Sequence, residues 1–309
     1  MAEEKKVIRL SPLNQVVFAC IFQNEQKAGP AMLEFLNAVL RYVGEEPITQ
    51  IISMRSEYSV MGDSADQKYG RLDVRVKAES GRIFDIEVQI EKDFMNERGF
   101  FYGGRMGEEE FRSGMPYSDM PQVRVINLVD FYIRKDRSHI VEPVVLTYKN
   151  HPEEIATDVF KMYHIQLPAF RRLHKTLDSA RKDDLLLWLY MFDQAYQDED
   201  EMEALSSMTE GLRNFAAQYH YAINDPDLIR RYRMIEDGKH DVATKIAVAE
   251  MKAEKRGRKA GEKQGRIDGE KQGRKAASVE IARELMRKGI DNEIIMSSTG
   301  LTIQELSAL

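Results

Sequence analysis

Acidic side chains share one side of a predicted β-hairpin at residues 71–90, RLDVRVKAESGRIFDIEVQI. Both arms alternate apolar and polar residues, which is typical of antiparallel strands with one face buried. A three-residue loop at 79–81, with Gly81 in the left-handed conformation that such loops need, fixes the register of the two arms. In that register Asp73 lies directly opposite Glu87.

Two opposed carboxylates raise a chemical question. Directly paired residues have Cβ atoms about 4.5–5.5 Å apart, and like charges at that distance destabilise a sheet. A divalent cation would remove the repulsion, because Mg²⁺ is usually held by hard oxygen ligands from one or two carboxylates. Gln89 projects to the same side as Asp73 and Glu87, where it could orient a water molecule. The alternative stays open, because a solvent-exposed face of mixed charge, with Arg71 and Arg75 beside the acids, needs no ligand.

The elements that must position this hairpin include both helices and strands. We predict helices at 13–23 and 30–43, the second with Pro30 in its first turn. The segment PQVRVINLVDFYI is apolar on both faces, as in a central strand covered on two sides. Further elements are a weak helix in FMNERGFFYGGRM and strands in VEPVVLTYK and DVFKMYHIQL. This order predicts an α/β fold, a mixed sheet flanked by helices, as one domain over residues 1–170.

The pattern becomes helical after this domain. Amphipathic periodicity predicts a helical extension over 171–240, followed by a basic segment over 241–275. In the basic segment, glycine occupies every fourth position from Gly257 to Gly273, which makes any helix there marginal. Nine basic residues outnumber three acidic ones between 255 and 275. Two interpretations stay open for this segment, a solvated linker or an arm that follows a phosphate backbone.

The tail, residues 276–309, predicts three short helices with a turn at Gly300. The last helix begins with Thr302 as its cap and Glu305 as the partner in a capping box. The order of elements permits a helix-turn-helix, but the sequence shows no basic recognition helix. A small packing module is the alternative.

The composition excludes several classes of protein. A net charge of -6 over 309 residues argues against coating of DNA by the whole surface, although a local basic strip is compatible with it. Cys20 is the only cysteine and lies in an apolar run, so we expect a buried thiol and a reducing compartment. The N-terminus lacks a signal-peptide core, and no apolar run reaches the ~20 residues that span a bilayer. We therefore expect a cytoplasmic protein with no membrane partner.

The hairpin also resembles a known family. Asp73, followed on the next strand by Glu87-Val88-Gln89, is similar to the D…(D/E)-x-K core of the PD-(D/E)XK nucleases. Specifically, it resembles the Rpn-type branch of recombination-promoting nucleases and transposases, in which Gln commonly replaces the Lys. The likeness extends over nearly the whole chain. It includes FLNAVL at 35–40, Arg98 with Phe101 and Tyr102, Gly114, Tyr117, VINLVDF at 125–131, IQLPAF at 165–170, the glycine repeat and TGLTIQEL at 299–306.

This resemblance implies a restriction-endonuclease-like fold and DNA cleavage that depends on Mg²⁺ or Mn²⁺. It assigns Asp73 and Glu87 as metal ligands, the Val88 carbonyl as a third ligand, and Gln89 as the residue that orients the attacking water. The biological role it implies is recombination, mobile-element transfer or phage defence.

Other polar residues allow two interpretations each. Arg98 and Tyr102 share one helical face and contact DNA phosphate or pair with a nearby acid. Glu34 adds a carboxylate to the site or is a solvated residue of a helix surface. The histidines, His164 among them, show no metal-ligand spacing, so we expect them to be structural.

The sequence departs from the family where its first helix usually carries an acid and a lysine, because Asn14 and Ala19 stand there. An alternative hypothesis is therefore a catalytically degenerate relative that binds DNA or a protein partner without cutting. A third hypothesis makes residues 236–275 an arm for homo-oligomerisation.

Overall fold

The computed structural model describes residues 9–56, 74–88, 92 and 94–309, with the backbone alone at 236, 239, 241–243 and 246. The chain divides into two compact units, Met1–Met234 and Ile235–Leu309. The strands are β1 Ile51–Ser56, β2 Val74–Ala78, β3 Ile83–Val88, β4 Val123–Val129, β5 Val141–Tyr148 and β6 His151–Gln166. The helices are α1 Gln15–Ile21, α2 Glu25–Tyr42, α3 Met95–Glu110, α4 Leu167–Leu173, α5 Leu177–Ala180, α6 Asp184–Asp193, α7 Glu199–Ser206, α8 Glu210–Ile223, α9 Pro226–Arg287, α10 Asn292–Thr299 and α11 Ile303–Ser307.

The first unit is built on a six-stranded mixed sheet with the order β1-β2-β3-β4-β6-β5. Strands β1, β2 and β3 are antiparallel neighbours, β3, β4 and β6 run parallel, and β5 returns antiparallel along β6. Every residue of β4 is buried, as its apolar sequence predicts for a central strand with both faces covered. The predicted α/β class, a mixed sheet with flanking helices and a helical C-terminal region, is confirmed.

Helices α1 and α2 begin at asparagine caps. The Asn24 side chain accepts a hydrogen bond from the backbone N–H of Lys27, so α2 begins at Glu25. The prediction that Pro30 lies in the first turn is wrong, because Pro30 lies inside the helix, five residues after its start. The helix tolerates it at the cost of one i→i−4 hydrogen bond.

Helix α3 lies close against the sheet because glycines face it. A Cβ built on Gly99 would meet Met162 Sδ at 2.7 Å, and one on Gly103 would meet the Phe160 ring at 2.4 Å. Side chains at these positions would therefore hold the helix away from strands β4 and β6.

A cluster of aromatic rings fills the core between α2, α6 and α8. Phe192 lies 5.1 Å from Phe35 and 5.0 Å from Phe215, measured between ring centroids. Glu34, at the edge of this layer, accepts hydrogen bonds from the Thr209 hydroxyl and the Gly211 N–H. Glu34 thus satisfies the first turn of α8, which gives it a structural role rather than a solvated one.

The second unit contains most of α9 and the two short helices after it. Ala282, Ile295, Leu301 and Leu306 form a small buried core. The predicted capping box of α11 is present, with Thr302 and Glu305 bonded in both directions, and Gly300 takes the left-handed conformation. The glycine repeat is helical and exposed, and a Cβ on any of its five glycines would enter open space. No helix of the described residues has the length and apolar character needed to cross a membrane.

Candidate active site

The hairpin has the register that its sequence predicts. Val74 pairs with Ile86 and Arg75 pairs with Asp85 across β2 and β3. Gly81 has a φ of +80°, the left-handed conformation expected of the turn. The next pair in this register, one step further from the turn, would join positions 73 and 87. Asp73 and Gln89 lie outside the described residues, so the opposition of the two carboxylates stays a prediction.

Glu87 is described, and its environment differs from a solvated hairpin face. All residues of β3 are buried, including Asp85 and Glu87. The face that alternation leaves polar is covered by α3, and Ile83 on that face packs against Met106 of the helix. The interpretation of an exposed face of mixed charge is therefore wrong for β3. Val88 is buried as well, on the opposite face of the sheet.

A row of polar residues crosses three strands at this edge of the sheet. Glu87 of β3 is the neighbour of Asn127 of β4, and Asn127 is the neighbour of His164 of β6. Their exposed fractions are only 6%, 1% and 0%. Burial of three polar side chains is costly unless hydrogen bonds or charges compensate it, so each of them must be satisfied locally. We call Glu87, Asn127 and His164 the polar row.

Hydrogen bonds join part of the polar row to α3. The Asn127 amide nitrogen lies 3.0 Å from His164 Nδ1, and His164 Nε2 lies 3.0 Å from Asn96 Oδ1 in the first turn of α3. The pattern assigns the proton to Nε2, which donates to Asn96, while Nδ1 accepts from Asn127. Burial lowers the pKa of His164 to about 4, so the ring is neutral near pH 7.

Sequence reasoning expected His164 to be structural, and its hydrogen bonds agree, but it missed that this residue borders Glu87. The available signal was Asn127, a polar residue in the middle of an apolar central strand.

The polar row provides oxygen ligands of the kind that a divalent cation prefers. Asn127 Oδ1 is buried and, within the described ranges, has no hydrogen-bond partner. Asn127 is the strand neighbour of the buried Glu87. Carboxylate and amide oxygens are ligands of Mg²⁺ and Ca²⁺, directly or through water. The residues present therefore fit a divalent cation at this edge of the sheet.

Arg98 and Tyr102, both half-buried, lie on α3 and outside the polar row. In the part of the chain that the structure describes, Arg98 forms no ion pair, so the pairing with a nearby acid is not observed. The Tyr102 ring contacts the Phe101 ring edge to face, 5.2 Å between centroids. Arg98 thus remains available for an anionic ligand.

Helix α1 is structural where the family has chemical groups. The Asn14 side chain caps the helix by accepting from the Val16 N–H at 3.0 Å. Ala19 is fully buried, and its carbonyl accepts a hydrogen bond of 2.6 Å from the Ser56 hydroxyl. A lysine at position 19 would place an ammonium group in this core. Helix α1 therefore carries no ionisable side chain at positions 14 and 19.

A cavity of about 560 Å³ lies at the end of β4, bordered by Leu128, by Leu167, and by Asp193 at the end of α6. Its charged groups largely neutralise one another. Arg171 binds Asp130 at 2.6 Å and Asp193 at 2.6 Å. Asp130 belongs to the stretch VINLVDF and Arg171 directly follows IQLPAF, two stretches that are part of the family resemblance. These parts of the family resemblance are therefore explained by ion pairs that stabilise the fold.

Comparison with known families gives two matches. The model described as PD-(D/E)XK nuclease family transposase matches residues 12–249. The model described as Rpn/YhgA-like nuclease family, C-terminal HTH domain, matches residues 275–309, the region of α10 and α11. Comparison with curated proteins and with solved structures gave no match. Because the first match covers well over half of the chain and agrees with its mixed sheet, this protein belongs to the PD-(D/E)XK nuclease family of transposases.

Proposed function

We propose that this protein is a DNA endonuclease that hydrolyses phosphodiester bonds with a divalent cation, Mg²⁺ or Mn²⁺. The observation that carries the proposal is the polar row, in which buried Glu87 is the strand neighbour of Asn127. The buried amide oxygen of Asn127 has no hydrogen-bond partner among the described residues. Burial of a carboxylate in this row is costly, and a bound cation would help to offset its charge. Nucleases of this family typically use divalent metals.

In this proposal Asp73 and Glu87 hold the cation, with the Val88 carbonyl as a third ligand. When bound, the cation lowers the pKa of a water molecule and offsets charge on the scissile phosphate. Gln89 orients the attacking water but brings no positive charge, because its side chain is a neutral amide. The Asn127 amide oxygen would be available to accept a hydrogen bond from water at this site, and His164, tied to Asn96, holds the orientation of the Asn127 amide.

DNA is the proposed substrate and partner. The C-terminal match to a helix-turn-helix domain and the basic residues between 255 and 275 both support DNA binding. A role in recombination, mobile-element transfer or phage defence follows from the family. Homo-oligomerisation through the C-terminal region is part of the proposal, and sedimentation of the whole chain against one truncated after residue 240 measures it.

The decisive test is nicking of supercoiled plasmid in Mg²⁺. We expect Asp73→Asn and Glu87→Gln each to reduce the nicking rate by about 100-fold or more, because each removes charge from the site of transition-state stabilisation. The matched control is Glu97→Gln, which neutralises an exposed glutamate in the first turn of α3. Equal nicking by wild type and both site variants would reveal a contaminating nuclease and end the proposal.

A second candidate function is that of a degenerate relative that binds DNA or a protein without cutting it. The observation that favours it is the structural use of Asn14 and Ala19 in α1. It predicts DNA binding that survives EDTA and weakens steeply with salt. A Tm that rises with Mg²⁺ in wild type and not in Glu87→Gln would show that a cation binds the folded site, and would count against this candidate.

A further inference from the structure

The outer face of α3 presents aromatic and basic side chains in a line. Phe94, Arg98, Phe101 and Arg105 recur at spacings of four, three and four residues, so they share one side of the helix. Phe94 is 73% exposed and Phe101 is 63% exposed. Several large apolar rings that are exposed side by side are unusual, and they indicate a binding surface. We call these four residues the aromatic stripe.

The side chains of the aromatic stripe cannot face the sheet, because another face of α3 packs there. The opposite face of α3 carries Gly99 and Gly103, which lie against Met162 and Phe160 so closely that a Cβ would clash. This close packing holds α3 near the sheet and fixes the rotation of the helix about its own axis. Phe101, on the far side of the helix, is directed to solvent by this packing.

Phe94 has an unusual backbone. Its φ of 60° lies in the left-handed region, where it is the only non-glycine residue of the described chain. A bulky aromatic residue rarely adopts this conformation, which costs of order 1–3 kcal/mol and concentrates at functional sites. Its carbonyl accepts the Arg98 N–H at 2.9 Å, so this conformation starts the helix and sets the position of the ring.

The stripe begins beside the polar row. Asn96, two residues after Phe94, binds His164, and His164 binds Asn127, the strand neighbour of Glu87. From Phe94 to Arg105 the stripe extends for roughly 16 Å at 1.5 Å per residue. A ligand that follows the stripe therefore ends at the edge of the sheet where Glu87 is buried.

The charges of α3 favour an anionic ligand over the first three turns. Arg98 has no ion-pair partner among the described residues, and Arg105 contacts Glu109 at 3.4 Å and remains largely exposed. Glu97 is the acidic exception. In the acidic last turn, Glu109 and Glu110 contact Arg75 and Lys77 of β2 at 3.6 Å and 2.5 Å respectively, and Glu108 is exposed.

We propose that the aromatic stripe binds single-stranded DNA, with bases stacked on Phe94 and Phe101 and phosphates held by Arg98 and Arg105. Sequence-tolerant binding of single strands combines aromatic stacking with basic groups along the backbone, as this stripe does. Duplex DNA keeps its bases stacked on each other and leaves the rings without partners. The inference rests on the proposed function and specifies its substrate, an unpaired strand led to the polar row.

The test is equilibrium binding of a fluorescent oligothymidylate and of a matched duplex by the full chain in EDTA, where no cleavage occurs. We expect Phe94→Leu and Phe101→Leu each to weaken single-strand binding by about 5-fold or more, since leucine keeps the apolar surface but cannot stack. Phe101→Trp should retain binding. The matched control is Phe100→Leu, the same change on the same helix, where the ring packs against Phe160 instead.

The outcomes separate this inference from the proposed function. An equal loss of single-strand and duplex binding in Phe101→Leu, no single-strand binding by wild type, or no loss of single-strand binding in Phe101→Leu would overturn the stripe. A change of sedimentation in Phe101→Leu with unchanged DNA binding would assign the face to a second copy of the chain and also overturn it. Loss of single-strand binding in Phe101→Leu, with no cleavage of the plasmid or of the oligonucleotide by wild type in Mg²⁺, would support the stripe and refute the endonuclease.

Discussion

Burial keeps the His164 ring neutral near pH 7 and makes the free energy of unfolding sensitive to acid. The pKa of the folded residue is about 4, below the ordinary value of 6.5. Between these two values the unfolded chain binds a proton that the folded chain does not. The free energy of unfolding therefore falls as pH falls from 6.5 towards 4, and this loss is absent above that window.

A stability measurement at two pH values tests this point. We expect wild type to lose about 2–3 kcal/mol more than His164→Gln between pH 7 and pH 4.5 in urea unfolding, because glutamine does not titrate. Because both proteins contain the same carboxylates, the contribution of these groups to the pH dependence of unfolding cancels in the comparison. Parallel loss in the two proteins would mean that His164 is protonated, or accessible to protons, in the folded state.

The pairing of residues within the hairpin was predictable, and the pairing beyond it was not. Alternation and Gly81 fix the antiparallel register locally, so the sequence places Arg75 opposite Asp85 correctly. The neighbours Glu87, Asn127 and His164 come from parallel strands far apart in sequence, and their relative register depends on the intervening α3 and β5. The burial of the polar face was signalled only by Ile83, which interrupts its polar residues and packs into the core.

At the scale of the element, α3 illustrates how glycine positions a helix. A Cβ on Gly103 would lie 2.4 Å from the Phe160 ring and 3.1 Å from Val125, whereas one on Gly104 would meet no atom within 4 Å. Gly103→Ala should therefore cost about 1–3 kcal/mol by overpacking. Gly104→Ala should stabilise the protein by up to about 1 kcal/mol, since alanine is the better helix former.

Thermal or urea unfolding of the two alanine variants measures this difference with neighbouring positions as mutual controls. Opposite signs are expected, with Gly103→Ala lower than wild type and Gly104→Ala equal or higher. Equal effects of the two substitutions would mean that α3 does not lie against β4 and β6 as closely as described. Nicking activity should fall with Gly103→Ala as well, because α3 supplies Asn96 to the polar row.

Element types were predictable from periodicity, and element ends depended on caps. The strand in VINLVDF and the capping box of α11 are as the sequence predicts. The start of α2 was not, because Pro30 suggested a first turn while the Asn24 cap lies earlier in the chain. A proline therefore marks the first turn of a helix only when no capping residue precedes it closely in the chain.

At the scale of the whole molecule, charge is distributed unevenly. The chain has a net charge of -6, yet nine basic residues face solvent on α9 between 255 and 275 with three acidic ones. Two of the acids are paired within the helix, Glu262 with Arg258 and Glu270 with Arg274. The remaining cations have the exposure and number that binding to a phosphate backbone requires.

The salt dependence of DNA binding decides whether this basic segment is an arm or a solvated linker. Each phosphate contact contributes about 0.7 to 0.9 to the slope of log affinity against log salt concentration, so combined Lys259→Gln, Lys263→Gln and Lys271→Gln should reduce the slope by roughly 2 to 3. The control places the same three changes at Lys135, Lys149 and Lys182 of the first unit, and should leave the slope nearly unchanged. Because glutamine is nearly as good a helix former as lysine, circular dichroism should show the same helical content in all three proteins. An unchanged slope in the α9 variant would make the segment a spacer, and DNA contact would then have to come from the first unit or from α10 and α11.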